Sequence, residues 1–373
     1  MFLKALDRYL LREILAPFIF GLGAFTTLFF AVESMIGVAR MITEAKMPYS
    51  LVLEYLGCRL PQVLIFTLPM ASLMACLLAF GRLSGEAELT AMRASGLSFM
   101  RIAFPPLVFF FCLSAGSYWL NDAVVPGKMK RAYEIVFSSQ KEEIYQKALL
   151  TAPKALKSGL EQMLYAHKFN FEDKTMQGVY IHYLWEDRRR REVYAEKARW
   201  NGKVWELFNL RTTEFDADQN PEQELEAQKG WSGLSPGESP PSPEDLSKRD
   251  FRPEEMTRAE LADALIALAG QPMTEAEDKR AHYAVVYHQK ASLPWVSFIF
   301  ATFAIPLGVR PHRSSKSMGL GLSLAFILLY YLLMTVGMVF GEAGSIDPVV
   351  GAWLPNLVFG TMGFGLLITA TRS

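Results

Sequence analysis

Residues 82–97 read RLSGEAELTAMRASGL, a polar island between two apolar runs of membrane length. The island carries its own helix signals. Ser84 is placed to N-cap, and Glu86 and Glu88 put negative charge in the first turns, where the helix dipole favours it. Gly96 stands where a left-handed C-terminal residue is needed, and Leu97 can fold back on Met92. The spacing predicts a helix over 84–96. Such a helix is too short to cross a bilayer, whose apolar core takes about 20 helical residues. It is therefore expected at the membrane surface. An ordinary interfacial loop helix is the plain alternative to one held by another protein. The second reading is preferred, because the polar face has no span of its own to pack on.

Upstream, Lys4, Arg8 and Arg12 alternate with Phe2, Leu3, Leu6, Leu10 and Leu11. This pattern fits a helix along the membrane face or a solvated leader. The first span is expected over 14–35, with Pro17, Gly21 and Gly23 tolerated in a membrane helix. It is too long for a cleavable signal and lacks a small-residue cleavage site, so it is expected to stay as an anchor. A polar loop over 37–50 leads to a second stretch, 51–80. Pro61 and Pro69 suggest an interfacial entry followed by a kinked span from about Pro61. Beyond the island, a phenylalanine-rich third span is expected over 102–120.

From Lys128 the pattern changes. Segments 162–169, 176–184, 192–200 and 203–215 are rich in aromatic and β-branched residues and separated by turn signals, which predicts an antiparallel β domain. Asn201-Gly202 reads as a two-residue hairpin turn. Arg188–Arg191 reads as a solvated hairpin tip, and the Pro-, Ser- and Glu-rich 216–250 as a flexible insertion. Thr257 with Glu260 forms a capping-box pattern opening a helix, and a second helix follows over 275–289. Three more spans are expected over 291–309, 318–340 and 350–370. The domains expected are 1–127 (spans one to three with the helix 84–96), 128–256 (the β domain), 257–290 (a helical linker) and 291–373 (spans four to six).

The 38 basic and 38 acidic residues balance, so charge points to no nucleic acid. Their distribution instead sets an orientation. Lys and Arg collect in the N-terminal residues, around the island (Arg82, Arg93, Arg101) and in the loop with Arg310, Arg313 and Lys316. The loop 341–348 has none. Both termini are then expected in the cytoplasm and the β domain outside, with Arg40 and Lys46 the exception on the outer side. No catalytic centre, metal site or cofactor site is read. The chain lacks a Gly-rich loop ending in Lys-Ser or Lys-Thr. His282 and His288 are six apart and do not face one metal from a single helix. Cys58, Cys76 and Cys112 lie in apolar runs and imply no disulfide framework. Glu86 and Glu88, two apart, are expected on opposite flanks of a Leu89/Met92 stripe, as partner contacts rather than an acid–base pair.

Three stretches carry a resemblance: RLSGEAELTAMRASGLS, the RPEEMTRAEL segment, and LPWVSFIFATFAIPLGVRPHRSSKSMGLGLSLAFILLYY through AWLPNLVFG. Together, and in order, they resemble the lipopolysaccharide-export permease family (LptF/LptG, YjgP/YjgQ-like). The resemblance covers nearly the whole chain except the Pro-rich insertion. It implies an α-helical inner-membrane protein of six transmembrane helices (3+3) with an inserted periplasmic antiparallel β-jellyroll. It also implies half of an ABC-type exporter, with a cytoplasmic ATPase dimer, a second permease subunit, a periplasmic bridge protein with a similar β domain, and lipopolysaccharide as cargo. Carried over by position, Glu88 in ELTAMR is the acidic contact to the ATPase, with Glu86 and Arg93 beside it. Spans one and five line the family's lipid cavity. Arg40 and then Lys46 match its basic residues, with Lys128, Lys130 and Arg131 as further candidates. Arg grips phosphate with two donors, which suits lipid A. The same residues also fit a receptor or scaffold without transport, or an exporter of another lipid or lipoprotein.

Overall fold

Inside hydrocarbon every backbone N–H and C=O must be satisfied within its own segment, so the apolar runs form helices. The computed structural model describes residues 5–43, 47–139, 154–156, 160–170, 173–185, 190–202, 204–216, 221–231, 252–269, 273–309 and 316–372. Six helices among them are long and apolar enough to cross a membrane. The chain divides into two units: Met1–Ile135 with Phe251–Ser373, and Val136–Asp250.

In the helical unit, α1 (Ala5–Thr43) is one 39-residue helix. The leader from Ala5 onward, the first span and the start of the expected loop thus merge into one rod. Leu10, Ile14 and Phe18 form its buried stripe, and Met41 extends burial into the expected loop. α2 (Tyr49–Gly85) runs through both Pro61 and Pro69 without a break. The short α3 (Glu88–Ala94) follows, and then α4 (Phe99–Trp119). A five-residue π-helical turn, Leu120–Val124, joins α4 to α5 (Val125–Ser139). The helix therefore continues past Lys128, where the β domain was expected to begin. The widened turn just before Pro126 absorbs its missing N–H. Val125, Met129, Ala132 and Ile135 then form a buried helical stripe.

The chain returns through a 3-10 turn (Pro253–Glu255) into α6 (Arg258–Ala269) and α7 (Met273–Ser292). A second 3-10 turn, Leu293–Trp295, holds Pro294 and leads into α8 (Val296–Gly308). α9 (Lys316–Glu342) and α10 (Pro348–Arg372) complete the unit. The expected capping box is present: Thr257 Oγ1 accepts from the Glu260 N–H at 3.1 Å, and Glu260 Oε2 from the Thr257 N–H at 2.7 Å.

The spans containing α2 and α8 have 78% and 61% of their most apolar windows buried, against 17% to 39% for the other four, so these two form the centre. Phe303 of α8 meets Phe326 of α9 at 4.8 Å and Phe359 of α10 at 5.2 Å, edge to face. α9 and α10 approach closely at Gly337 and Gly351, where a Cβ on Gly351 would stand 2.5 Å from the Gly337 carbonyl oxygen. Small residues permit such approaches in membranes. The helices of spans one and five keep the smallest buried shares, 17% and 22%, and turn most of their apolar surface outward.

The second unit is a six-stranded antiparallel sheet in sequence order: β1 (Lys154–Leu156), β2 (Leu160–Asn170), β3 (Thr175–Trp185), β4 (Arg190–Trp200), β5 (Trp205–Phe215) and β6 (Pro221–Trp231). The expected inserted β domain is therefore there. β6 falls within the stretch read as a flexible insertion, which corrects that reading. Its Glu- and Gln-rich sequence hides a strand that β5 specifies through nine residue pairs and the Arg211–Glu226 ion pair at 2.6 Å. The Asn201 turn joins Trp200 to Trp205 across four residues rather than two, with Asn201 Oδ1 accepting from the Val204 N–H at 3.0 Å. Arg190 and Arg191 lie in β4 rather than in a hairpin tip. Arg191 pairs with Glu214 at 2.7 Å, and Arg190 lies over the Phe215 ring. Arg188 and Arg189 fall outside the described residues.

A crease crosses this sheet. The ladders skip His167 opposite Gly178, Gly178 opposite Glu196, Glu196 opposite Asn209, and Asn209 opposite position 228. Gly178 and Asn209 have φ of +60° and +51°. Left-handed residues turn the next side chain to the other face, and Asn tolerates that region better than most residues with a Cβ. Buried positions in β5 accordingly run 205, 207 and then 210, and in β3 they run 176 and then 179, 181 and 183. Residues on both sides of the crease join one core with Tyr183 and Trp205.

Candidate functional site

The end of the helical unit that carries α3 differs in detail from expectation. α2 continues through Ser84 to Gly85, so Ser84 lies inside α2 and not at the start of α3. The chain turns at Glu86 and Ala87, and α3 starts only at Glu88. Ala87 takes φ of +57°, a left-handed conformation that costs a Cβ-bearing residue about 1 kcal/mol. The other terminus is as expected. Gly96 has φ of +92°, its N–H bonds the Arg93 carbonyl at 2.9 Å, and the Leu97 N–H bonds the Met92 carbonyl at 3.3 Å. Leu89 is buried, and Met92 and Leu97 lie against the same apolar cluster.

Glu86 and Glu88 do not flank α3 on opposite sides. The turn at Ala87 leaves Glu86 on the last turn of α2, and both carboxylates converge on Arg82, at 2.8 and 3.8 Å. The same guanidinium pairs with Glu13 of α1 at 2.5 Å and lies 3.3 Å from the Tyr9 hydroxyl. Tyr9 in turn donates its hydroxyl proton to Glu88. Arg101, in the first turn of α4, pairs with Asp7 of α1 at 2.6 Å. Arg93 sits half-buried in the last turn of α3. Tyr9 and Glu13 were missed in the sequence. The available signal was a carboxylate, Glu13, on the stripe that buries Leu10 and Ile14, where a charge needs a partner.

At the opposite end, Arg40 is exposed in the last turn of α1. Lys46 lies outside the described residues. Lys128 is exposed on α5. Lys130 and Arg131 already have carboxylate partners: Lys130 pairs with Glu260 at 2.6 Å, and Arg131 with Glu54 at 3.0 Å. The Lys130 ammonium and the Thr257 N–H hold the Glu260 carboxyl below its usual range.

A further polar joint at this end was not read from the sequence. Lys290 is 7% exposed within span four. Its carbonyl accepts from Asn121 in the π-helical turn at 3.0 Å. Asn356 of α10 donates to the Ser292 carbonyl at 2.8 Å and accepts from the Tyr330 hydroxyl at 2.8 Å. Gln62, Asn121, Glu254, Gln289 and Lys290 line a cavity of about 60 Å³, room for a few waters. Asp122 accepts the Arg258 N–H at 2.9 Å, and the Arg258 guanidinium donates to the Tyr118 hydroxyl at 2.6 Å. In the β unit, Trp205 is buried against Trp200, whereas Tyr165, Tyr180 and Tyr194 form an exposed strip across three strands. The Trp185 side chain lies outside the described residues.

Six spanning helices with an antiparallel β domain inserted between the third and the fourth define a polytopic membrane protein with two distinct polar ends. The chain belongs to the lipopolysaccharide export system permease LptF/LptG family, whose sequence profile matches residues 8–369. The lipopolysaccharide export system permease protein LptG of Escherichia coli strain K12 is 24% identical over 381 residues, covering 97% of this chain and 98% of the relative. LptF of the same strain is 22% identical over 363 residues, covering 94% and 91%, and LptF of Shigella flexneri matches equally.

Proposed function

We propose that this chain is a permease subunit of an ABC-type exporter that extracts lipopolysaccharide from the inner membrane. Its termini and α3 face the cytoplasm, and its β domain faces the periplasm. The observation that carries the reading is α3, a short helix closed by Gly96, set between spans two and three, with Glu88 at the end where a helix dipole favours an acid. Two cytoplasmic ATPase subunits would dock such helices, with Glu88 as the principal contact and Glu86 and Arg93 beside it. The energy must come from outside this chain. Drawing acyl chains out of a bilayer costs about 0.8 kcal/mol per methylene, and no nucleotide-binding loop is legible in the sequence.

The outward apolar surfaces of spans one and five suit acyl chains shared with a second permease subunit. Arg40 and Lys46 would meet lipid phosphates. Lys128 is a further exposed cation, whereas Lys130 and Arg131 are held by carboxylates. The β domain would shield the lipid as it passes to a periplasmic bridge protein with a similar fold. The test is a mild-detergent pull-down of the tagged chain from its native membrane, with bound proteins and lipids identified by mass spectrometry. An ATPase, a second six-span chain and lipopolysaccharide are expected. The chain alone with ordinary phospholipid, even after gentle crosslinking, would overturn the reading and leave a receptor or scaffold.

A further inference from the structure

The covalent path from α3 leads to spans two and three, since α3 lies between α2 and α4. The polar contacts of α3 lead elsewhere. Glu88 accepts the Tyr9 hydroxyl, and Arg82 ties Glu13 of α1 to the acidic residues around the turn at Ala87. Tyr9 and Glu13 are one helical turn apart and share the inward side of α1 with Leu10 and Ile14. Asp7, on the same turns, is held by Arg101 beyond the other end of α3. The first turns of α1 are thus clamped from both flanks of the short helix. An arginine with several fixed acceptors is a rigid joint, because its planar fork loses little freedom per bond formed.

We propose that Tyr9 and Arg82 are positioning residues that deliver the motion of α3 directly to span one. The inference rests on the exporter reading above. α1 is a single helix from Ala5 to Thr43, so a displacement at Tyr9 is carried to Arg40, about 46 Å along the rod at 1.5 Å per residue. Span one then moves with the coupling helix rather than following spans two and three. Its motion changes the place of Arg40, the cation proposed to hold a lipid phosphate.

The experiment uses the whole complex, purified with its own ATPase and reconstituted in liposomes with lipopolysaccharide. ATP hydrolysis and lipid release to an acceptor are measured together. Tyr9→Phe removes one hydroxyl and little else. Losing one hydrogen bond to a charged acceptor should lower lipid released per ATP hydrolysed by about tenfold, with ATPase subunits still co-purifying. Arg82→Lys keeps a cation for Glu13 but not the multiple grip, so an intermediate ratio is expected. Arg82→Gln should fall to the Tyr9→Phe level or below. Wild-type transport with an unchanged ratio in both Tyr9→Phe and Arg82→Gln overturns the inference. A wild-type complex that neither binds an ATPase nor releases lipid instead overturns the exporter reading on which it rests.

Discussion

The side-chain amide of Asn121 donates to the backbone carbonyl of Lys290 across 3.0 Å, joining the π-helical turn after α4 to the last turn of α7. That carbonyl belongs to a helix about to meet Pro294, which supplies no N–H to continue the ladder. Asn121 is 8% exposed, so the bond is shielded from bulk solvent.

Asn121→Asp keeps the size of the side chain but replaces the donor with an acceptor facing a carbonyl. A buried carbonyl left unpaired costs about 1–3 kcal/mol. Thermal unfolding in mild detergent should show a lower Tm for Asn121→Asp than for Asn121→Gln, which retains the amide. Equal values would show that the bond contributes nothing.

Two glycines separate close approach from open space. Gly351→Ala would drive a methyl group to 2.5 Å from the Gly337 carbonyl oxygen and push α9 and α10 apart, whereas Gly23 has no atom within 4 Å to meet. Overpacking of this kind costs about 1–3 kcal/mol. Detergent melts should show a clear loss for Gly351→Ala and near-wild-type stability for the isolated chain with Gly23→Ala.

The Lys130–Glu260 pair sets a pH dependence with a definite sign. Glu260 is held below its ordinary pKa in the folded chain. Its contribution is therefore present above the unfolded carboxylate value, near 4.3, and is lost as pH falls through the lower folded value. Both side chains are partly exposed, 31% and 41%, so the pair is worth about 0.2–1 kcal/mol. Melts from pH 7 to pH 3 should show wild type above Lys130→Met at neutral pH and the two curves meeting at the acid end. A constant gap would assign the difference to packing of the lysine stem.

Gly96→Ala puts a Cβ at φ of +92° with open space around it, so any loss is conformational, about 1–2 kcal/mol. The closing turn of α3 should fray, and less ATPase should co-purify. Gly96→Asn, which tolerates the left-handed region better, should retain more. Glu88→Ala should leave the chain inserted and uncouple lipid release. Unchanged release would remove Glu88 from the coupling role.

The six spans were legible because twenty-residue apolar runs admit little else, and the Thr257–Glu260 box and the Gly96 cap because each is fixed by residues within one turn. What was missed lay beyond that range. The third span was expected to end at Leu120 and the β domain to begin at Lys128, because the apolar run stops there and a π-helical turn that carries the helix onward leaves no local mark. β6 was hidden because its own residues carry no apolar alternation, and its pairing is decided by β5. Arg82 looked like a topology signal. Its grip on Glu13, with Tyr9 beside it, exists only because α1 returns against α2, a fact of tertiary packing.

The crease through His167, Gly178, Glu196 and Asn209 makes the β unit, mechanically, two plates joined along one line. Each plate is stiffened by its own ladders, while the line has none of its own between the strands it crosses. Because side chains of both plates share one core, the angle at that line is set by packing rather than by backbone ladders.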